Sequence, residues 1–213
     1  VQPVWNVIAG KLAEPTWVLL PTGAGNETGV IDASAAPVVT AALKGYTALL
    51  LGCGLSQLPT TQRFVHDLLS QAALPPTLID ADGLNCLAKQ DNWPQLLPDQ
   101  CVLTPHPAEL ARLCNLPIDE VTEQRWRLAR EKAIEWQTVL LVKGPYTVIA
   151  TPDGWLAVLP VATAALATAG TGDVLSGTIA GLLAQGVDPF SAACLGAWLH
   201  GTAGQRCQVE IGP

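Results

Sequence analysis

The stretch "AGTGD", residues 169–173, sets two glycines, a threonine and one aspartate directly ahead of an apolar helical pattern at 171–186. Gly170 and Gly172 let the backbone turn tightly and leave amide N–H groups uncovered. Amides in a first helical turn have no intrahelical acceptor, and the helix dipole behind them draws an anion. Gly170, Thr171 and Gly172 thus form a candidate anion hole into which a phosphate fits. Asp173 would be repelled by that phosphate unless it had another task. Beside a transferring phosphoryl group, an aspartate can orient and deprotonate an attacking hydroxyl. In the plainer reading Asp173 only favours the positive end of its helix and the glycines only make the turn. Local chemistry leaves both open. The loop is not a P-loop, since it carries no lysine, and "LGCGLS" (51–56) lacks the third glycine of a dinucleotide fingerprint.

Three further clusters carry chemistry. In "KGPYT" (143–147) a Gly-Pro turn joins two strand-like runs, and Lys143 is either a phosphate contact or a solvated charge. His106 in "TPHPAE" sits between two prolines, so its backbone is restrained; it is either a ligand contact or a structural turn residue. His66 lies on a polar helical face and His200 in an apolar helical run, and neither is a candidate. In "DADGLN", Asp80 and Asp82 either form a turn or support Mg²⁺ at one remove. Asp80, Asp82, Asn85 and Glu109 are candidates to stand behind the residues that touch a ligand. No residue is assigned as a direct metal ligand.

The elements that must position these clusters alternate. Strand-like runs are expected at 16–21, 46–52, 77–79, 101–104 and 138–142, with helical patterns at 34–45, 60–74, 107–115 and 119–137 between them. In the 119–137 pattern, Trp126, Ala129, Ala133 and Trp136 share one side. "YTVIATPDGWLAVLP" (146–160) reads as a hairpin around "TPDG". Helices at 171–186 and 188–208 close the chain. This order predicts one α/β domain with a mostly parallel sheet, right-handed crossovers, helices on both faces and an antiparallel edge hairpin. Ligands in such sheets sit beyond the carboxyl ends of the strands, where "GCGLS", "DADGLN", "TPHPAE" and "KGPYT" all fall.

Bulk composition narrows the partners. The chain has 213 residues, 11 basic against 18 acidic side chains and a net charge of −7, without a basic cluster, so nucleic acid and anionic membrane are not expected partners. Its apolar runs are too short to span a bilayer. The six cysteines form no C-x-x-C pair and read as small buried apolar residues in a reducing, cytoplasmic setting.

Taken together, "DADGLN", "LTPHPAELARL", "LVKGPYTVI" and "AGTGDVLSGTIAGLLAQG" resemble, in order and spacing, the ADP/ATP-dependent NAD(P)H-hydrate dehydratases of the ribokinase-like family. The resemblance runs from about residue 13 to 208, and its specific part is the pair "HPAE" and "AGTGD". It implies a three-layer α/β/α ribokinase-like fold. It also implies an enzyme that repairs hydrated NADH or NADPH, phosphorylating the hydrate's C6 hydroxyl with ADP or ATP as co-substrate, then losing phosphate, with Mg²⁺ offsetting phosphate charge. By the same resemblance Asp173 is the base and contacts the hydrate. Gly54 and His106 also hold the hydrate, while Lys143, Gly144, Pro145, Tyr146, Thr147 and Gly172 hold the nucleotide. A homo-oligomer and a fused or separate epimerase are implied as well.

The sequence departs from the family pattern in three places. "GPG" reads "GCG" at 52–54, a change expected to loosen that loop, and "HPGE" reads "HPAE" at 106–109. The family's opening strand and glycine-serine loop have no counterpart, so the first strand–helix unit and any N-terminal epimerase domain are expected to be absent from this chain. Two rival functions remain: a small-molecule kinase of the same fold, acting on a thiazole or pyrimidine alcohol, and a non-catalytic nucleotide-binding module.

Overall fold

A computed structural model describes residues 1–23, 29–71 and 73–212. The elements run α1 (Gln2–Ile8), α2 (Ala35–Ala42), β1 (Leu49–Leu51), α3 (Pro59–Leu69), β2 (Thr77–Ile79), α4 (Asp82–Leu87), β3 (Cys101–Leu103), α5 (Pro107–Cys114), α6 (Ile118–Glu123), α7 (Arg125–Trp136), β4 (Val139–Val142), β5 (Val148–Ala150), β6 (Leu156–Val158), α8 (Thr171–Ala184) and α9 (Pro189–Glu210). The six strands lie in sequence order, β1 to β4 parallel and β4, β5 and β6 antiparallel.

That order explains the layering. When parallel strands are added always in one direction with one crossover hand, the crossover helices all fall on one face. Alternate strand residues Leu51, Ile79, Leu103, Leu140 and Val142 accordingly pack against α3, α5 and α7 in one core. The opposite residues Leu78, Val102, Val139 and Leu141 need another cover, which α8 and α9 supply through Leu175, Ile179, Leu183, Ala192, Ala193 and Ala197. The result is the expected three-layer α/β/α arrangement with an antiparallel edge.

Several local expectations are corrected. Residues 16–21 form no strand; Trp17, Val18 and Leu19 are exposed, and the nearest pairing is a single bridge between Thr22 and Ile31. The 119–137 pattern is two helices rather than one, broken at Gln124, and the buried side of α7 is Leu128, Ala129, Ala133 and Trp136, with Trp126 left 50% exposed. The break places the Arg125 guanidinium where it donates to the carbonyls of Pro145 and Tyr146, at 2.5 and 3.3 Å. Of "DADGLN", only Asp80 and Ala81 form the turn; the helix begins at Asp82, after Ala81 turns through φ +50°. The cysteines are only partly as expected: Cys86 and Cys101 are buried, Cys207 is exposed, and Cys53 lies half-buried on the rim.

Candidate active site

The carboxyl ends of β1, β2, β3 and β4 emerge on one edge, and the loops there touch backbone to backbone. Gly52 follows β1 at φ +134°, and a Cβ there would sit 1.7 Å from the Asp80 carbonyl oxygen; one at Gly83 would come within 2.8 Å of the Leu51 carbonyl. Glycine is therefore required at both positions for the β1 and β2 loops to meet. Asp82 braces the first loop, accepting from Ser56 N at 2.9 Å and Gln57 Nε2 at 2.8 Å. Gly54 turns through φ +71° beside open space.

After β2, Asp80 is 1% exposed. Its Oδ1 accepts from Lys143 Nζ at 2.6 Å and Ala81 N at 2.8 Å, and its Oδ2 from Ser176 Oγ at 2.5 Å. Lys143 follows β4, and its backbone N–H donates to the Pro105 carbonyl at 2.9 Å, tying the β3 and β4 ends together. Its ammonium also lies 3.7 Å from Glu109 Oε2.

His106 caps α5. Its Nδ1 accepts from Ala108 N at 3.1 Å while Glu109 Oε2 accepts from His106 N at 2.8 Å, a reciprocal capping box. An accepting Nδ1 carries no proton, so the neutral ring is protonated at Nε2, 3.4 Å from Glu109 Oε1. Burial, then the charges of Lys143 and Arg112, hold the imidazole below its ordinary range. Burial raises the Glu109 carboxyl, against the pull of Lys143. Asn85 accepts from Arg112 Nη1 at 2.8 Å, behind the rim.

Across the cleft, Gly170 caps α8 in the left-handed region at φ +90°. Thr171 Oγ1 lies 2.8 Å from the carbonyl oxygens of both Leu166 and Thr168, which share its one proton, and its N–H is directed to Thr168 O at 3.3 Å. Among the described residues this leaves the Gly172 and Asp173 amides of the first turn without a backbone acceptor. Lys143 Nζ lies 3.7 Å from where a Gly172 Cβ would stand. The exposed Asp173 carboxylate, the Asp80 carboxylate and Cys53 Sγ lie within 4.8 Å of one another. Burial, followed by the hydrogen bond and charge of Asp173, pushes the Cys53 thiol up to about 12, so it stays protonated.

These parts border a cleft of about 960 Å³. His106, Lys143, Gly144, Pro145, Thr147, Gly170, Thr171 and Gly172 line it. Leu159, Val161, Leu166, Ala197 and Gly201 form its apolar end. Three of the residues expected to touch a ligand stand outside this lining, as do Asp80, Asp82, Asn85 and Glu109, expected behind them. Tyr146 is 52% exposed and Gly54 faces open space, while Asp173 adjoins the cleft through Gly172 and faces Cys53. His200, set aside in the sequence, does line it, and so does Gln208. Burial lowers the His200 imidazole, countered by a hydrogen bond to the Thr171 backbone. Only the Gly201 that follows His200, the room a tight helix contact needs, hinted at that role: a Cβ there would meet Leu159 at 3.0 Å.

The pattern of the NAD(P)H-hydrate dehydratase family matches residues 19–213. The chain belongs to that family. It is 41% identical over 168 residues to the ADP-dependent (S)-NAD(P)H-hydrate dehydratase of Neisseria meningitidis serogroup B, covering 78% of this chain and 56% of that protein. It is 40% identical over 209 residues to the bifunctional NAD(P)H-hydrate repair enzyme of Moorella thermoacetica, covering 98% of this chain and 39% of the relative. The chain thus spans little more than a third to just over half the length of these relatives. The crystal structure of the Bacillus subtilis ADP/ATP-dependent NAD(P)H-hydrate dehydratase, co-crystallized with ATP/Mg²⁺ and soaked with CoA, superposes with TM-score 0.67 at 32% identity over 84% of this chain and 71% of that one. A ribokinase-like superfamily protein from Enterococcus faecalis superposes with TM-score 0.70 at 26% identity, over 85% of this chain and 62% of that one. The fold is ribokinase-like.

Proposed function

We propose that this chain carries the nucleotide-dependent dehydration of hydrated NADH or NADPH. What most supports this is one junction: Lys143 and Gly172 line the cleft side by side, Lys143 is held by Asp80 at 2.6 Å, and the Asp173 carboxylate of the same first turn of α8 lies within 4.8 Å of the Asp80 carboxylate. In this reading the amides of Gly172 and Asp173, with Lys143, hold the terminal phosphates of ADP or ATP. The loop 143–147 supports the nucleotide, whose base lies toward Leu159, Val161 and Leu166. The hydrate lies toward Gly54 and His106, where the neutral imidazole offers an Nε2–H donor. Asp173 takes the proton of the hydrate's C6 hydroxyl as its oxygen attacks the terminal phosphorus and the nucleotide, one phosphate shorter, leaves; phosphate then departs from C6 and a proton from C5, re-forming the double bond of the dihydropyridine. Fixed donors aimed at the transferring group supply charge stabilisation without reorganisation.

Magnesium fits this site only as a companion of the phosphates. Mg²⁺ requires hard oxygen ligands, and Asp80 already accepts three hydrogen bonds while Cys53 offers a soft sulfur. Asp173 is the remaining carboxylate of this cluster, and a magnesium ion arriving with the nucleotide would neutralise phosphate charge.

The bifunctional relatives support pairing with an epimerase, fused or separate, and exposed Leu156 and Val158 on the edge strand, with Trp155 just before it, support a homo-oligomer. The free cysteines suit a reducing cytoplasm, and no described helix is long and apolar enough to cross a membrane.

Product analysis tests the reading. Incubation with ADP or ATP and NADH hydrate is expected to restore NADH absorbance. A stable phosphate ester would instead identify a small-molecule kinase, and nucleotide binding without turnover a binding module.

A further inference from the structure

The geometry points to Asp80 as the positioning residue that fixes the phosphate-binding lysine and the base-bearing helix against one another. This rests on the function proposed above but goes beyond it, because Asp80, 1% exposed and outside the cleft lining, acts through the residues it holds.

Asp80 sits at the end of β2, between two partners remote in sequence: Lys143 is 63 residues away and Ser176 is 96. Each carboxylate oxygen serves one of them. Oδ1 takes the Lys143 ammonium at 2.6 Å and Oδ2 the Ser176 hydroxyl at 2.5 Å, with Ala81 N–H completing the set at 2.8 Å. A carboxylate this deeply buried must be neutralised and hydrogen-bonded to be tolerated. Lys143 meets the first need, and all three donors the second.

The consequence follows from helical spacing. Ser176 lies three residues beyond Asp173, on the same side of α8, one turn on. Holding Ser176, which is fully buried, therefore fixes the rotation of α8 about its axis and the direction in which Asp173 leaves it. The other arm sets Lys143 Nζ 3.7 Å from where a Gly172 Cβ would stand, beside the unpaired amides. One carboxylate thus sets the distance between the cation on the phosphates and the base that activates the hydroxyl. Displacement of reacting groups by about 1 Å can cost on the order of 10²-fold in rate, so such a clamp acts on turnover as well as on stability.

Two variants separate the arms. Ser176→Ala releases the helix but leaves the lysine held, and is expected to lower kcat about tenfold with the KM for nucleotide little changed. Asp80→Asn removes the charge that holds Lys143 as well, and is expected to lower kcat further and raise the nucleotide KM. The double variant should lose no more kcat than Asp80→Asn alone, because Ser176 acts through Asp80. Amide hydrogen exchange at Val174 and the hydrogen-bonded amides that follow it in α8, measured without ligand, should quicken in Ser176→Ala. That readout stands even if Asp80→Asn fails to fold. A parent protein that does not restore NADH overturns the proposed function but leaves the exchange measurement to judge the clamp. An active parent, with Ser176→Ala equal to it in kcat and in exchange, overturns the clamp and leaves the function intact.

Discussion

The two walls of the cleft are built differently. The strand-end wall holds its charges in buried side chains: Asp80 and Glu109 are 1% and 5% exposed, and both are within reach of Lys143. The facing wall, from Leu159 to the first turn of α8, is largely exposed and works with backbone: a left-handed Gly170, the hydroxyl ties of Thr171 and two open amides. The difference teaches a division of labour. Charges that must stand at fixed distances are anchored in the core. The surface proposed to receive a phosphate is made of dipoles that cost little to leave in water. A perturbation of the first wall should damage the fold, and one of the second should damage binding or turnover.

The largest contrast comes from the same substitution on each wall. Gly52→Ala places a Cβ 1.7 Å from the Asp80 carbonyl at φ +134°, and is expected to cost more than about 4 kcal/mol, leaving little folded protein. Gly170→Ala meets nothing within 4 Å and has only φ +90° against it, so it should cost about 1 kcal/mol while weakening ADP binding. Urea denaturation checks both, and equal losses would erase the contrast.

Next in size is the pair Lys143→Met and Thr171→Val. Removing the ammonium leaves the Asp80 carboxylate buried beside two neutral donors, for an expected loss of about 3 kcal/mol. Removing the Thr171 hydroxyl breaks two carbonyl contacts on an exposed segment, for about 1 kcal/mol.

The smallest effect is on pH. His106 folds with its imidazole lowered from 6.5, so the neutral ring is the one the fold prefers. Its contribution is complete above the unfolded value and is lost as pH falls through the lower folded one, because protonating Nδ1 removes the acceptor for Ala108 N–H. His200 acts in the same direction, whereas Glu109, raised by burial, contributes below its unfolded value and loses that contribution as pH rises. Thermal midpoints between pH 7 and 5 should fall less in His106→Asn, which keeps a capping acceptor and removes the titration.

Strands β1 to β4 were legible because short continuous apolar runs such as "TLI", "CVL" and "VLLV", bounded by turn residues, suit burial on both faces of a parallel sheet. The rim followed from them, since each motif comes directly after such a run. Other features were not legible. The break at Gln124 carries no glycine or proline. The 16–21 run has strand composition but no sheet partner beside it. The partners of Asp80 come from distant segments, so no local spacing could distinguish a buried clamp from a turn-forming acid. Cys53 was missed for the same reason, its neighbours Asp80 and Asp173 being brought to it by two separate elements.

In the function proposed above, Asp173 is the base and not a helix-end charge. The direct measurement is turnover of NADH hydrate by Asp173→Asn, alongside calorimetric titration with ADP. A base predicts turnover lower by about 10²–10⁴-fold with ADP affinity and thermal midpoint near those of the parent. Turnover equal to that of the parent would contradict the account, as would a loss fully explained by a weakened fold.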